Sequence, residues 1–147
     1  MYQRILVATD GSELSTKAVD HALDLARSCG AEVLAITVVP RYPQSYFDGS
    51  LPLSPSEIER VEQHWGADGQ KILDQVKIKA QEKGVKLSDL IVKSDVVSDA
   101  VIETAREQNA SLIVMASHGR KGVSRMLLGS ETQQVLTHSQ IPVLVLR

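Results

Sequence analysis

The 147-residue sequence has little of what defines several large protein classes. It contains one cysteine, Cys29, so an internal disulfide is impossible and a reducing compartment is expected. Its apolar runs are too short to cross a bilayer, and residues 1–4 show no signal-peptide pattern. The net charge of −2 leaves no excess of Lys and Arg to neutralise the phosphates of a nucleic acid. These absences predict a cytoplasmic protein that neither inserts into a membrane nor binds nucleic acid.

The composition is that of an ordinary globular domain. Apolar residues make up 43% of the chain and charged residues 23%, so intrinsic disorder is not expected. The length suits one domain with its own core, and neither an internal repeat nor a linker divides the sequence. We therefore predict a single domain over residues 1–147.

Short apolar blocks alternate along the chain with segments of helical periodicity. The blocks predict five strands, at residues 5–8, 33–39, 85–92, 111–116 and 141–146. The segments between them predict four helices, which begin near Glu13, near Pro55, after a cap at Asp95 or Ser98, and at Glu131. This alternation predicts an α/β fold: an open, twisted, five-stranded parallel sheet with helices on both faces, which is a Rossmann-like arrangement. Ligands of such sheets bind beyond the carboxyl ends of the strands.

The second helix carries the strongest start signal in the sequence. Residues 54–57, Ser-Pro-Ser-Glu, offer an N-cap serine, a proline at the first helical position and a glutamate that can reach back. Gly66 and Gly69 lie within this helix, and we expect them to loosen its middle. Before it, residues 41–54 form a long loop that holds Tyr42, Tyr46 and Phe47. We expect this loop to cover a ligand or a partner surface.

The segment after the fourth strand, residues 117–132, combines glycines with positive charge. Gly119, Gly122 and Gly129 let main-chain N–H groups approach a ligand closely. The fourth helix begins near Ser130, where unpaired N–H donors and the positive end of its dipole favour an anion such as phosphate. An ordinary turn with Ser130 as its capping residue explains the same residues. The segment contains neither the Gly-Lys-Ser/Thr of a Walker A loop nor a dinucleotide-binding fingerprint.

Three segments resemble the universal stress protein family, in the family's order and across essentially the whole chain. They are the opening Arg4–Ser12, the segment from Ser117 to Ser130, and the closing Ile141–Val145. In the ATP-binding members the middle segment reads Gly-x-x-Gly, nine residues, Gly-Ser/Thr. Gly119, the nine residues 120–128 and then Gly129-Ser130 fit this pattern. The first position departs from it, because Ala116 replaces the glycine. Alanine adds only a methyl group and leaves its N–H available, so binding is still expected.

The resemblance implies an adenine nucleotide alpha hydrolase-like fold that binds ATP, or ADP or AMP in its place, together with Mg²⁺. The phosphates would be held by the Ser130 hydroxyl and by the main-chain N–H groups of Gly119, Arg120, Gly129 and Ser130. Asp10 would face the ribose and phosphates and would hold Mg²⁺ through water. Val38 would offer main-chain groups to the adenine edge. The other residues expected at the site are Ala8, Thr9, Met115, Ala116, Ser117, His118, Glu131 and Thr132.

Simpler roles stay open for three of these residues. Asp10 could cap the first helix, and Val38 and Met115 could serve only as core packing. The last strand, Pro142–Leu146, is strongly apolar and would end at a sheet edge. Because this strand pairs across a two-fold axis in the family, we expect a homodimer that could assemble further.

The residues point to a regulator and not to a catalyst. Phosphoryl transfer needs a group that orients the nucleophile, and no pattern in the sequence identifies one. We expect nucleotide occupancy to change a surface that an unidentified partner reads, such as a transporter or another component of a stress response. A nucleotide-free scaffold of the same fold and a weak ATPase remain as alternatives.

Overall fold

Five strands alternate with four helices in residues 1–43, 53–119 and 128–147, which are the residues that the computed structural model describes. The strands are β1 (Arg4–Ala8), β2 (Glu32–Val39), β3 (Leu87–Lys93), β4 (Leu112–Ala116) and β5 (Val143–Leu146). The helices are α1 (Glu13–Cys29), α2 (Pro55–Lys83), α3 (Val97–Glu107) and α4 (Ser130–His138). The predicted alternation is confirmed.

All five strands are parallel and lie in the order β3-β2-β1-β4-β5. Val7 in the central strand β1 pairs with Ala35 of β2 on one side and with Val114 of β4 on the other. The chain adds β2 and β3 on one side of β1 and then returns to add β4 and β5 on the opposite side. The strand order therefore reverses between β1 and β4, and ligands of open parallel sheets bind outside the carboxyl ends at such a point.

Helices cover both faces of the sheet, as predicted. Ile5 and Val7 point into a core formed with α1 and α2. Leu6 and Ile113 point to the opposite face, into a core formed with α3 and α4. Because side chains on both faces are buried, the central strands are apolar without alternation, and every residue of β4 is buried.

The start of α2 follows the sequence prediction closely. The Ser54 hydroxyl accepts a hydrogen bond from the Glu57 N–H at 3.3 Å, and the Glu57 carboxylate accepts one from the Ser54 N–H at 2.7 Å. This reciprocal capping box, with Pro55 at the first helical position, fixes where the helix begins. Although α2 is 29 residues long, no helix in the described ranges is apolar and long enough to cross a membrane.

Three predicted boundaries were wrong for local reasons. β3 begins at Leu87 and not at Val85, because the Val85 N–H donates to the Ala80 carbonyl and closes the end of α2. β5 begins at Val143 and not at Ile141, because the Ile141 N–H donates to the Ser139 hydroxyl in a turn. The third helix is capped by neither Asp95 nor Ser98; its N-cap is Val96, whose side chain cannot accept a hydrogen bond.

The expectation that Gly66 and Gly69 loosen α2 was also wrong, since the helix is continuous through both. Gly69 is buried against the sheet. A Cβ atom at this position would lie 3.2 Å from Val39 Cγ1 and 3.4 Å from Thr37 Cγ2. Gly69 therefore allows close contact between α2 and β2. At Gly66 no atom of the described residues would lie within 4 Å of an added Cβ atom.

These two glycines provide a matched pair for measuring the contact between α2 and β2. We expect Gly66→Ala to raise the free energy of unfolding by about 0.5–1 kcal/mol, because alanine favours the helix and meets open space. Gly69→Ala should show no such gain, because its methyl group must displace Val39. Urea denaturation monitored by circular dichroism measures both values. An equal gain for the two variants would contradict the close contact at Gly69.

Candidate functional site

The turns after β1 and β4 converge at the carboxyl edge of the sheet. Asp10 and Gly11 follow β1 and lead into α1, and Ser117–Gly119 follow β4. The two turns touch: a Cβ atom added to Gly119 would collide with the Asp10 Oδ2 atom. A side chain at position 119 would therefore displace the Asp10 carboxylate, and glycine allows the two turns to approach this closely. This junction lies where the strand order reverses.

Asp10 is held at the junction by α1. Its Oδ1 atom accepts hydrogen bonds from the Ser12 N–H and from the Ser15 hydroxyl, each at 2.9 Å. The N-cap of α1 is Ser12, whose hydroxyl accepts the Ser15 N–H at 3.3 Å, so the alternative that Asp10 is the capping residue was wrong. Sequence reasoning missed Ser12 and Ser15 as supports of Asp10. Their three-residue spacing at a helix start was the available signal.

The predicted lining residues divide between the two faces of the sheet. Ala8, Val38 and Met115 lie together on the face covered by α3 and α4. Thr9 does not join them: its hydroxyl bonds the Ser15 hydroxyl at 3.0 Å, and it lines a cleft of about 270 Å³ between α1 and α2. The expectation that the Thr9 side chain lines the same pocket as Ala8 therefore needs correction, because successive strand residues alternate between faces.

Ser117 ties the end of β4 to the start of α4. Its N–H donates to the Leu146 carbonyl at 2.7 Å, and its carbonyl accepts the Gly129 N–H at 2.7 Å. The buried Thr132 hydroxyl donates to the Ala116 carbonyl at 2.9 Å and approaches the Ser117 carbonyl at 3.3 Å. A Cβ atom at Gly129 would lie only 3.1 Å from the Ser117 oxygen. Gly129 thus allows this closure, and a larger residue there would push the Ser117 carbonyl back by a few tenths of an ångström.

Several groups expected at the nucleotide site are used inside the protein, and one of them is an expected phosphate contact. Because the Gly129 N–H already donates to Ser117, it is not available to a phosphate in this arrangement, contrary to expectation. The Thr132 hydroxyl is likewise bonded to main-chain carbonyls and holds α4 in place. The Glu131 carboxylate is also engaged within the protein, since its Oε2 atom accepts the Ser98 N–H at 2.7 Å.

The N-terminus of α4 remains as a set of donors at the junction. The N-cap is Gly129, so Ser130 is the first helical residue and not the cap. The N–H groups in the first turn of a helix have no intrahelical acceptor, and the helix dipole adds positive potential there. Ser130 is exposed, and its N–H group and that of Glu131 lie in this turn. A helix start of this kind can bind an anion.

His118 occupies the outer side of the junction. Its Nδ1 atom lies 3.2 Å from the Ser117 hydroxyl, and its ring lines a cleft of about 220 Å³ with Glu13, Lys17 and Arg147. Arg120, which was expected to bind phosphate, lies outside the described residues. In the described ranges no three His, Cys, Asp or Glu side chains cluster as metal ligands. The carboxylate of Asp10 would therefore need water and phosphate oxygens to complete a Mg²⁺ site.

The chain that leaves β2 is fixed to α2 before it enters residues 44–52, which lie outside the described residues. The Tyr42 ring stacks on Trp65 with ring centres 6.3 Å apart, and the Tyr42 N–H donates to the Glu62 carboxylate at 3.3 Å. The expected covering role of Tyr46 and Phe47 falls in that range and stays a prediction.

Comparisons with known proteins all point to one family. The model of the universal stress protein family matches residues 1–147. Universal stress protein MJ0531 of Methanocaldococcus jannaschii is 37% identical over 147 residues, which are all of this chain and 83% of the relative. Universal stress protein YxiE of Bacillus subtilis is 35% identical over 150 residues, covering the full length of both chains.

Solved structures show the same fold. Protein MJ0577 of Methanocaldococcus jannaschii, also a universal stress protein, is 25% identical, with a TM-score of 0.83 over 99% of this chain and 96% of its own. A universal stress protein in complex with cAMP is 27% identical, with a TM-score of 0.72 over 99% of this chain and 97% of its own.

The role of Thr132 in holding α4 to β4 can be measured by removing its hydroxyl. We expect Thr132→Val to lower the free energy of unfolding by about 1–3 kcal/mol, because the Ala116 carbonyl loses its buried donor. Thr137→Val makes the same chemical change at an exposed position of α4 and should stay within about 0.5 kcal/mol of the wild type. Urea denaturation compares the two. Equal effects would mean that the buried hydrogen bond does not hold the helix.

Proposed function

The chain belongs to the universal stress protein family, and from this membership we propose that it binds ATP with Mg²⁺ at the junction of the β1 and β4 turns. The observation that carries the proposal is the meeting of Asp10, Gly119 and the first turn of α4 at one edge of the sheet. Main-chain donors there suit phosphate oxygens. The structure of a relative with cAMP supports a nucleotide as the ligand class.

The adenine would lie on the α3 and α4 side of the sheet. Ala8 and Val38 are half-buried there and Met115 is buried, so these side chains offer an apolar surface to a planar base. The main chain at the end of β2, near Val38, would bond the adenine edge. Ala116 follows Met115 in β4, so its methyl group lies on the opposite face of the sheet and leaves this surface unchanged.

Asp10 makes the proposed binding dependent on a cation. Its carboxylate lies against Gly119, where the phosphates would approach, and two like charges at this distance repel each other. Mg²⁺ between the carboxylate and the phosphates turns this repulsion into attraction, through water or directly.

We expect the protein to act as a cytoplasmic regulator, in which the nucleotide changes a surface that another protein reads. A ligand achieves this only by binding one arrangement of the site better than another. One observation favours the alternative function of a nucleotide-free scaffold. The Gly129 N–H donates to the Ser117 carbonyl, which leaves one donor fewer for a phosphate. Repeated release of phosphate from ATP would instead indicate an enzyme.

Titration calorimetry with ATP, ADP and AMP, each with and without Mg²⁺, tests the proposed ligand. We expect ATP to bind, and we expect Mg²⁺ to strengthen its binding. Asp10→Asn should remove most of this Mg²⁺ dependence, because the carboxylate charge is its cause. Asp68→Asn, on the exposed surface of α2, should retain the dependence. Absence of heat for all three nucleotides at millimolar concentration would support the scaffold.

We also propose a homodimer formed through β5. This strand is at one edge of the sheet, and all four of its residues are half-buried in the monomer. An apolar edge strand exposes main-chain donors and acceptors that pair readily with a second copy. Further assembly of dimers through other surfaces is compatible with this arrangement.

A charge on β5 should disrupt this dimer. Val145→Glu is the better variant than Val143→Glu, because Val143 packs against the α3 and α4 core whereas Val145 belongs to neither core cluster. Leu90→Glu places the same charge on β3, at the other edge of the sheet, and is the control. Analytical ultracentrifugation should show a monomer for Val145→Glu and a dimer for both the control and the wild type. A dimer in all three would exclude β5 as the interface.

A further inference from the structure

The helix α3 takes its N-terminal cap from another helix. Its own N-cap residue is Val96, which has no side-chain acceptor. The Ser98 N–H, in the first turn of α3, donates instead to Glu131 Oε2 at 2.7 Å. Ser98 is only 4% exposed, so solvent does not readily replace this bond. A buried N–H that loses its acceptor destabilises the structure around it.

Glu131 therefore connects two helix starts. It is the second residue of α4, so its main-chain N–H lies in the turn proposed to hold phosphate, while its carboxylate caps α3. The helices α3 and α4 also pack against each other. A carboxylate is favourable near the positive end of either helix dipole, and this one lies close to both.

We infer that Glu131 is a positioning residue that transmits occupancy of the phosphate site to the start of α3. The inference rests on the proposed nucleotide binding at the first turn of α4. A bound phosphate brings negative charge to that turn and competes for the dipole of α4. Repulsion from the phosphate then biases the Glu131 carboxylate towards Ser98, and the hydrogen bond that caps α3 is populated more fully.

The segment affected by this cap is apolar at the surface. Leu90, Val96 and Val97 are 39%, 44% and 36% exposed. They account for three of the six large hydrophobic side chains that are exposed in the described ranges, and they lie within eight residues of one another in the chain. Ordering the start of α3 fixes Val96 and Val97, and so couples the nucleotide to this surface.

Amide hydrogen exchange of Ser98, followed by NMR, tests the inference with Mg-ATP as the ligand. In the wild type, Mg-ATP should slow Ser98 exchange about fivefold, the lower end of typical coupling between sites. In Glu131→Ala, exchange without nucleotide should be about tenfold faster, because a hydrogen bond to a charged acceptor is lost. The response to Mg-ATP should also disappear in this variant.

Two further variants distinguish the loss of the hydrogen bond between Ser98 and Glu131 from a general loss of structure. Glu131→Gln keeps an acceptor oxygen but not the charge, so it should restore slow Ser98 exchange while responding less to Mg-ATP. Glu103→Ala removes an exposed carboxylate from α3 itself and should behave as the wild type. Because the coupling is a repulsion between the Glu131 carboxylate and the phosphates, Glu131→Ala should bind Mg-ATP at least as tightly as the wild type, as calorimetry would show. Weaker binding by this variant would contradict the repulsion.

The outcomes distinguish this inference from the proposed function. If Mg-ATP binds the wild type but leaves Ser98 exchange unchanged, the coupling is wrong and the nucleotide site stands. If Mg-ATP does not bind at all, the proposed function fails and the coupling fails with it. Unchanged Ser98 exchange in nucleotide-free Glu131→Ala would overturn the cap itself.

Discussion

The arrangement of the candidate site depends on the main-chain N–H and carbonyl groups of Ser117. Its N–H bonds β5 through Leu146, and its carbonyl accepts the Gly129 N–H. Thr132 adds a second donor at the end of β4. These bonds fix the start of α4 beside the carboxyl end of β4. Because the sheet is parallel, the β1 turn with Asp10 is brought to the same edge. Without this closure the donors of α4 would have no fixed relation to Gly119.

The described polar groups in residues 117–119 and 128–132 divide into those that build the site and those that face it. The Gly129 N–H, the Thr132 hydroxyl and the Glu131 carboxylate are all bonded within the protein. In the proposed site, recognition of an anion falls to the main-chain donors in the first turn of α4 and at Gly119. The Asp10 carboxylate then adds the dependence on a cation.

The strands could be predicted because burial on both faces of the sheet requires continuous apolar segments. The start of α2 could be predicted because both residues of its capping box, Ser54 and Glu57, lie within four positions of the sequence. The cap of α3 could not be predicted, because Glu131 lies 33 residues from Ser98 in the chain. Thr9 was expected at the site, but its side chain faces the cleft between α1 and α2, because successive residues along a strand alternate between faces. Gly129 matched a binding pattern, but in the structure its close contact with Ser117 is what favours glycine there.

The most direct test of the central claim is a crystal structure of the protein with Mg-ATP. The proposed site places phosphate oxygens about 2.7–3.2 Å from the main-chain nitrogens of Ser130 and Glu131. It also places the phosphates beside Gly119, with Mg²⁺ between them and Asp10. Nucleotide density at another place, or a junction filled by side chains at saturating Mg-ATP, would contradict it.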